Sequence, residues 1–159
     1  MRISAGKVNR AGRGFSIFEI LIVIAMVAAM VVMAGPFLSG SLSRNELASF
    51  SEGAADALKE ARSSATTGRA GGKYGVHFET GKFVFFEGET YSAADPDNVE
   101  HVLSGFVSIT DISISGSGSD IHFRSVSGSA VETGSVEFTD ANDETKTVSV
   151  NVAGLIDIQ

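Results

Sequence analysis

A single carboxylate lies inside the most apolar stretch of the chain. Between residues 15 and 38 the only charged side chain is Glu19, and residues 20–34 form an uninterrupted apolar run. An ionisable group in a membrane anchor is energetically expensive, so it is interpreted as functional by default. Because no ion is stable alone in hydrocarbon, Glu19 requires a partner of opposite charge. The alternative is a tolerated carboxylate at the membrane interface.

The other polar clusters give weaker signals. His77, His101 and His122 are scattered, without carboxylate or cysteine partners at ligand spacing, so positions on one side of a strand explain them better than a metal does. From Asp140 to Glu144 the chain reads Asp-Ala-Asn-Asp-Glu, which alternates oxygen ligands somewhat like a calcium loop. It lacks the glycine and the distant glutamate of such loops. A solvated hairpin turn is the preferred interpretation, with calcium as the alternative.

The composition excludes several function classes. The chain has no cysteine, which excludes disulfides, thiolate metal sites and cysteine nucleophiles. No catalytic spacing of Ser, His and Asp stands out, so neither an enzyme nor a cofactor is expected. Residues 1–14 hold four of the twelve bases and no acid, which leaves eight bases against nineteen acids in residues 15–159. This acidic remainder is a poor partner for nucleic acid, which favours clustered Lys and Arg.

The distribution of apolar residues divides the chain into four parts. Residues 1–14 form a basic leader, which the positive-inside rule places in the cytoplasm. As a helix, residues 15–38 would be about 36 Å long, enough for a bilayer core of about 30 Å. Residues 39–72 continue the helical spacing as an amphipathic segment, and a bend is expected at Pro36. Residues 73–159 change to a period of two and form a β-rich extracytoplasmic head.

The spacing predicts one long helix over residues 15–67, ended by Gly68, Gly71 and Gly72. Polar and glycine clusters separate the candidate strands, which cover residues 74–79, 82–87, 107–114, 120–125, 135–139, 145–152 and 155–158. The apolar stripe of residues 42–65 is the surface on which the sheet is expected to pack. The predicted fold class is therefore α+β, with a long N-terminal hydrophobic helix packed by its C-terminal half on an antiparallel sheet or sandwich.

Residues 14–19 read Gly-Phe-Ser-Ile-Phe-Glu, between the basic leader and the apolar run. This string resembles the class III signal of type IV pilins and of the pseudopilins of type II secretion and competence systems. The resemblance implies that a membrane peptidase cuts after Gly14 and methylates the new amine of Phe15. Glu19 then falls at the fifth mature position, where it is implied to act in assembly. Pro36 falls where many family members have proline.

The end of the chain is similar, over a shorter stretch, to the minor pseudopilin branch with a β-sandwich head. The similarity lies in the strand–turn–strand–glycine pattern of residues 136–158. Together the two resemblances imply a structural subunit of a type IV pilus-like filament, most readily a minor pilin or pseudopilin of a type II secretion or type IV pilus system. The implied partners are a prepilin peptidase, other subunits, the inner-membrane assembly platform and membrane lipid. The implied location is the cytoplasmic membrane, spanned once with the head outside, and then the filament.

A second function class remains open on the residues alone. An unassembled single-pass membrane protein with an acidic, partner-binding head would have the same anchor and the same charge distribution. Such an anchor needs neither a Gly-Phe junction at residues 14 and 15 nor Glu19 within its apolar run. These two features favour the filament subunit.

Overall fold

The computed structural model describes residues 15–68, 73–116 and 118–159, apart from the side chains of residues 32–41. Within these residues the fold is α+β, with one long helix and two antiparallel four-stranded sheets. Helix α1 spans Ile17–Thr67. The predicted α+β fold class is confirmed.

Capping residues account for the two ends of α1. Ser16 is the N-cap, since its Oγ accepts a hydrogen bond from the backbone N–H of Phe18 at 3.4 Å. Gly68 follows the last turn with a φ of 68°, a left-handed conformation that glycine adopts without a Cβ clash. The predicted end of the helix at Gly68 is confirmed, whereas Gly71 and Gly72 lie outside the described residues.

The chain separates into two compact units, divided after Leu38. We refer to residues 39–159 as the head unit. Helix α1 continues through Pro36 without a break. The bend predicted at Pro36 lies among residues 32–41, whose side chains are outside the described part of the chain. In the described part of the chain, no helix combines the length and the apolarity needed to cross a membrane.

Two sheets complete the head unit. The first has the strand order β3-β2-β1-β5 and consists of β1 (Tyr74–Glu79), β2 (Lys82–Glu87), β3 (Val99–Val102) and β5 (Asp120–Phe123). The second has the order β4-β6-β7-β8 and consists of β4 (Val107–Ile114), β6 (Gly134–Asp140), β7 (Thr145–Val150) and β8 (Ile156–Ile158). All neighbouring strands within each sheet are antiparallel.

The seven predicted strands are all present, with ends displaced by no more than two residues. Strand β3 was missed. Its sequence, Val-Glu-His-Val, does not alternate between apolar and polar residues, and all four side chains are exposed. No buried face marked it as a strand, and only its pairing with β2 defines it.

One apolar core joins α1 to both sheets. It includes Leu47 and Leu58 of α1, Phe78 and Phe83 of the first sheet, and Phe138 of the second, each 3% exposed or less. The buried face of α1 is formed largely by small residues, the five alanines at 54, 55, 57, 61 and 65, each at most 5% exposed. The expected stripe over residues 42–65 is corrected at its start: Leu42 is 57% exposed, and the core begins at Leu47.

Candidate functional site

The residues predicted to act in processing and assembly lie at the start of α1. Phe15 and Glu19 are exposed, and together with Ile20, Val23 and Ile24 they line one face of the helix. Each of these residues has another of the set three or four positions away, which makes the two side chains neighbours on the surface of an α-helix. Gly14, which precedes the predicted cut, lies outside the described residues.

The apolar side chains at this end of α1 are uncovered. Each of the twelve large ones from Phe15 to Val31 is at least half exposed, with Ile20 lowest at 50% and Phe15 highest at 78%. A helix that is apolar on all sides belongs in apolar surroundings, either lipid or other protein. An exposed apolar surface of this length marks a site of interaction.

Glu19 lies in the first turn of α1. The backbone N–H groups of Glu19 and Ile20 donate to the carbonyl of Ser16 at 3.0 and 3.2 Å. The carboxylate itself has neither a hydrogen bond nor an ion pair with any described residue. Ser16 and Glu19 have the Ser-x-x-Glu spacing of a capping box, and the helix dipole favours a negative charge here. The carboxylate does not make the capping contact in this structure, but the spacing leaves it within reach of one.

Asp140 organises the turn between β6 and β7. Its Oδ1 accepts the backbone N–H groups of Asn142 and Glu144 at 2.8 and 2.9 Å, and its Oδ2 accepts the Asn142 side-chain amide at 3.0 Å. That amide also donates to Ser43 Oγ on α1 at 2.6 Å. The turn is the predicted hairpin, and residues 141–143 are exposed. Asp140 itself is only 4% exposed, and its contacts fix the turn to the helix around a buried carboxylate. The alternative of calcium binding remains a prediction, and the described residues contain no group of three metal-ligating side chains.

The hydrogen bonds to Asp140 determine its ionisation. Burial disfavours the charged form, but the donors from Glu144, Asn142 and Ser43 outweigh it and hold the pKa of Asp140 below its ordinary value of 3.8. A carboxyl group with a depressed pKa in the folded state stabilises the fold above its unfolded pKa. This contribution is lost as the pH falls through the folded pKa.

We expect Asp140→Asn to lower the urea midpoint of the fragment 39–159 at pH 7 and to weaken its dependence on pH below about pH 4. The reason is that asparagine cannot supply the charge that the N–H donors stabilise. Urea titrations followed by circular dichroism at several pH values measure both effects. Asp143→Asn is the control, because the exposed Asp143 carboxylate accepts no hydrogen bond among the described residues. Equal effects at the two positions would contradict the role given to Asp140.

His77 lies within a cluster of charged and aromatic side chains on the first sheet. Its Nδ1 contacts the carboxylate of Asp120, its Nε2 is 3.3 Å from Glu79 Oε1, and its ring stacks on Tyr91 with 4.0 Å between centroids. Asp120 is 43 residues away in sequence, so sequence spacing gave no sign of this contact. The three carboxylate and imidazole groups do not form a metal-binding set among the described residues.

The other two histidines are also held by neighbouring side chains. His122 Nδ1 is 3.0 Å from a carboxylate oxygen of Glu132, and the His101 ring stacks on Phe83 with 4.8 Å between centroids. All three histidines occupy strands, as predicted for His77 and His122. The carboxylate partner of His122 was missed.

Two features set the start of α1 apart from the rest of the described chain. They are the uncovered apolar surface and the carboxylate of Glu19 within it. No protein-family model, curated protein or solved structure matches this chain. The chemistry of these residues is therefore the basis for assigning a function.

Proposed function

We propose that this chain is a structural subunit of a type IV pilus-like filament, most readily a minor pilin or pseudopilin of a type II secretion or type IV pilus system. The observation that supports it most is the uncovered apolar start of α1 with Glu19 in its first turn. The string at residues 14–19 and the basic leader before it also support this proposal. In this proposal a prepilin peptidase removes residues 1–14, and the mature helix begins at Phe15.

The apolar surface of α1 serves two environments in turn. Lipid tails and aliphatic side chains are similarly apolar, so a helix can move from lipid to a bundle of like helices with little change in hydration. In this proposal α1 first anchors the subunit in the cytoplasmic membrane and then packs against the α1 helices of neighbouring subunits. The acidic head unit stays in water throughout.

Because apolar packing distinguishes poorly between lipid and helices, a polar contact must favour the filament. After cleavage Phe15 carries an ammonium group, which with an ordinary pKa of about 7.7–8.0 is mostly charged at neutral pH. Neither this ammonium nor a carboxylate is stable alone in apolar surroundings. A joining subunit that places its amine beside Glu19 of a subunit already in place relieves both penalties. Phe15 and Glu19 are one helical turn apart, so pairing within one chain is the competitor.

The proposal predicts cleavage between Gly14 and Phe15 in the native host. Intact-mass and N-terminal peptide spectra should show a chain that begins at Phe15 and carries a methylated amine. Gly14→Leu should block processing, because a side chain before the cut hinders the backbone that the peptidase must hold. Gly12→Leu is the control and should be processed normally. A chain that keeps Met1, or one cut after Ala34, would contradict the proposal and favour another class of membrane or secreted protein.

A further inference from the structure

Two loops close the head unit at the C-terminal end of α1, and we define them as the tip loops. They are residues 124–131, which form most of the connection between β5 and β6, and residues 151–155, between β7 and β8. Arg62 of α1 donates hydrogen bonds to the carbonyl of Gly128 in the first loop at 3.0 Å and to that of Ala153 in the second at 3.4 Å. The tip loops therefore form one surface that is fixed to the helix.

The tip loops expose aliphatic side chains. Val126, Val152 and Leu155 are 86%, 71% and 57% exposed. Val126 also has a φ of 70°, where a β-branched residue is an outlier. Its N–H donates to the carbonyl of Ala65 in the last turn of α1 at 3.4 Å, which explains the backbone position but not the side chain. Gly or Asn would occupy this position with less strain, so a strained valine in open solvent indicates a surface that something covers.

The opposite end of the head unit, which we define as the base, comprises residues 42–46, 103–106 and 140–144. Hydrogen bonds join these segments, among them one from Ser104 Oγ to the carboxylate of Glu46. From Glu46 to Arg62 the helix rises about 24 Å, so the base and the tip loops are separate surfaces.

The two ends are complementary in charge and are both partly apolar. The tip loops contain Arg124, and Arg62 adds a second cation beside them. The one acid between β5 and β6, Glu132, contacts His122.

The base contains three acids that are not buried, Glu46, Asp143 and Glu144, against one basic residue, Arg44; its fourth acid, Asp140, is buried. It also exposes Leu42 and Phe106, which are 57% and 55% exposed.

We propose that the tip loops of one copy of this chain pack against the base of a second copy. The contact joins two different surfaces, and a heterologous contact that does not close into a ring extends into a filament. Aliphatic burial supplies the attraction, and the opposite charges orient the copies. This inference rests on the proposed filament and adds which surfaces of neighbouring head units meet.

Cross-linking of single-cysteine forms of the full chain tests this contact, and no native cysteine interferes. Ala153→Cys marks the tip loops and Ala141→Cys marks the base, and both alanines are exposed. When the two forms are expressed together in the native host and treated with a bismaleimide, we expect a cross-linked dimer that neither form gives alone. Ala94→Cys, at an exposed alanine in the loop between β2 and β3, replaces either partner as the control and should give only background.

Three results would overturn the contact. The first is cross-linking of Ala153→Cys chains to one another, which would indicate a tip-to-tip dimer. The second is a yield with Ala141→Cys no higher than with Ala94→Cys. The third is protection of Ala153→Cys from a water-soluble maleimide by anionic phospholipid vesicles without cross-linking to Ala141→Cys, which would assign the tip loops to a membrane surface. Filaments that form but fail to cross-link overturn this contact alone, whereas a native chain missing from sheared filaments overturns the filament proposal as well.

Val126→Asn separates a role in this contact from a role in folding. Asparagine accepts a left-handed backbone, so the head unit should melt at least as high as in the native chain. Near-ultraviolet circular dichroism of the detergent-solubilised full chain reports this, because both tyrosines, Tyr74 and Tyr91, lie in the head unit. Loss of a buried valine should lower tip-to-base cross-linking about tenfold. Unchanged cross-linking, or a loss accompanied by a lower melting temperature, would contradict the role of Val126.

Discussion

Replacing Glu19 with alanine should remove the chain from sheared filaments while leaving it processed and inserted in the membrane. Alanine makes the apolar segment more favourable in lipid, so insertion should survive or improve. In the filament, the amine of the next subunit would be left without its partner. Removing one member of a buried ion pair costs about 3–5 kcal/mol, so incorporation should fall at least about a hundredfold. Immunoblots of membrane and sheared fractions, with intact mass to confirm cleavage, measure these effects.

The glutamine variant distinguishes charge from helix capping. Glutamine is accepted at the fourth position of a Ser-x-x-Glu capping box. Glu19→Gln can therefore still accept a hydrogen bond from the backbone N–H of Ser16, and only the charge is removed. We expect Glu19→Gln to be as deficient in incorporation as Glu19→Ala, and Glu19→Asp to retain part of the native level. If Glu19→Gln assembled normally, the carboxylate would have a local role at the start of α1 and the proposed pairing would be wrong.

Expression together with the native chain distinguishes pairing between subunits from pairing within one. A Glu19→Ala subunit still has its own amine, so it can join a filament through Glu19 of a native subunit but offers no carboxylate to the next one. Pairing between subunits therefore predicts that the variant enters mixed filaments and shortens them. Pairing within one chain predicts that the variant is excluded and native filaments keep their length. Tagged variant chains and electron microscopy of sheared material report the two outcomes.

Elements whose signals are local could be predicted from the sequence. Period-two alternation located seven of the eight strands. In β5 and β6, for example, buried side chains alternate with less buried ones. Gly68 marked the end of α1, because glycine is the residue that most readily adopts the left-handed conformation found there. Strand β3 has neither signal: its four residues are exposed, and it forms only because the edge of β2 is available.

The candidate sites also differ in whether a local sequence signal marks them. Glu19 was recognisable because one charge in an apolar run departs from its surroundings. Val126 and Leu155 did not stand out, since single exposed aliphatic residues are common. They are recognisable as parts of one surface only because the fold joins their loops through Arg62. The φ of 70° at Val126 is likewise visible only in the structure. The buried role of Asp140 likewise depends on Ser43, which is 97 positions earlier in the chain but within reach through Asn142.

The second large effect is expected at Gly154, where the two tip loops touch. Gly154 has a φ of 74°, and a Cβ there would lie 2.2 Å from the carbonyl oxygen of Gly128 and 3.2 Å from Arg62 Nε. The carbonyl of Gly128 accepts the hydrogen bond from Arg62, so it cannot move away without loss of that bond. Gly154→Ala therefore combines a left-handed alanine with a backbone clash. We expect it to lower the free energy of unfolding of the fragment 39–159 by about 2–5 kcal/mol in urea titrations.

Gly68→Ala separates the two contributions. Gly68 has a similar φ of 68°, and a Cβ there would meet nothing within 4 Å, so this variant should lose only the about 1–2 kcal/mol of a left-handed alanine. Equal losses at the two positions would show that the tip loops are not fixed against each other. The clash and the hydrogen bond of Arg62 act through the same carbonyl of Gly128. Arg62→Ala and Gly154→Ala should therefore be non-additive, the double variant losing less stability than the two single losses combined.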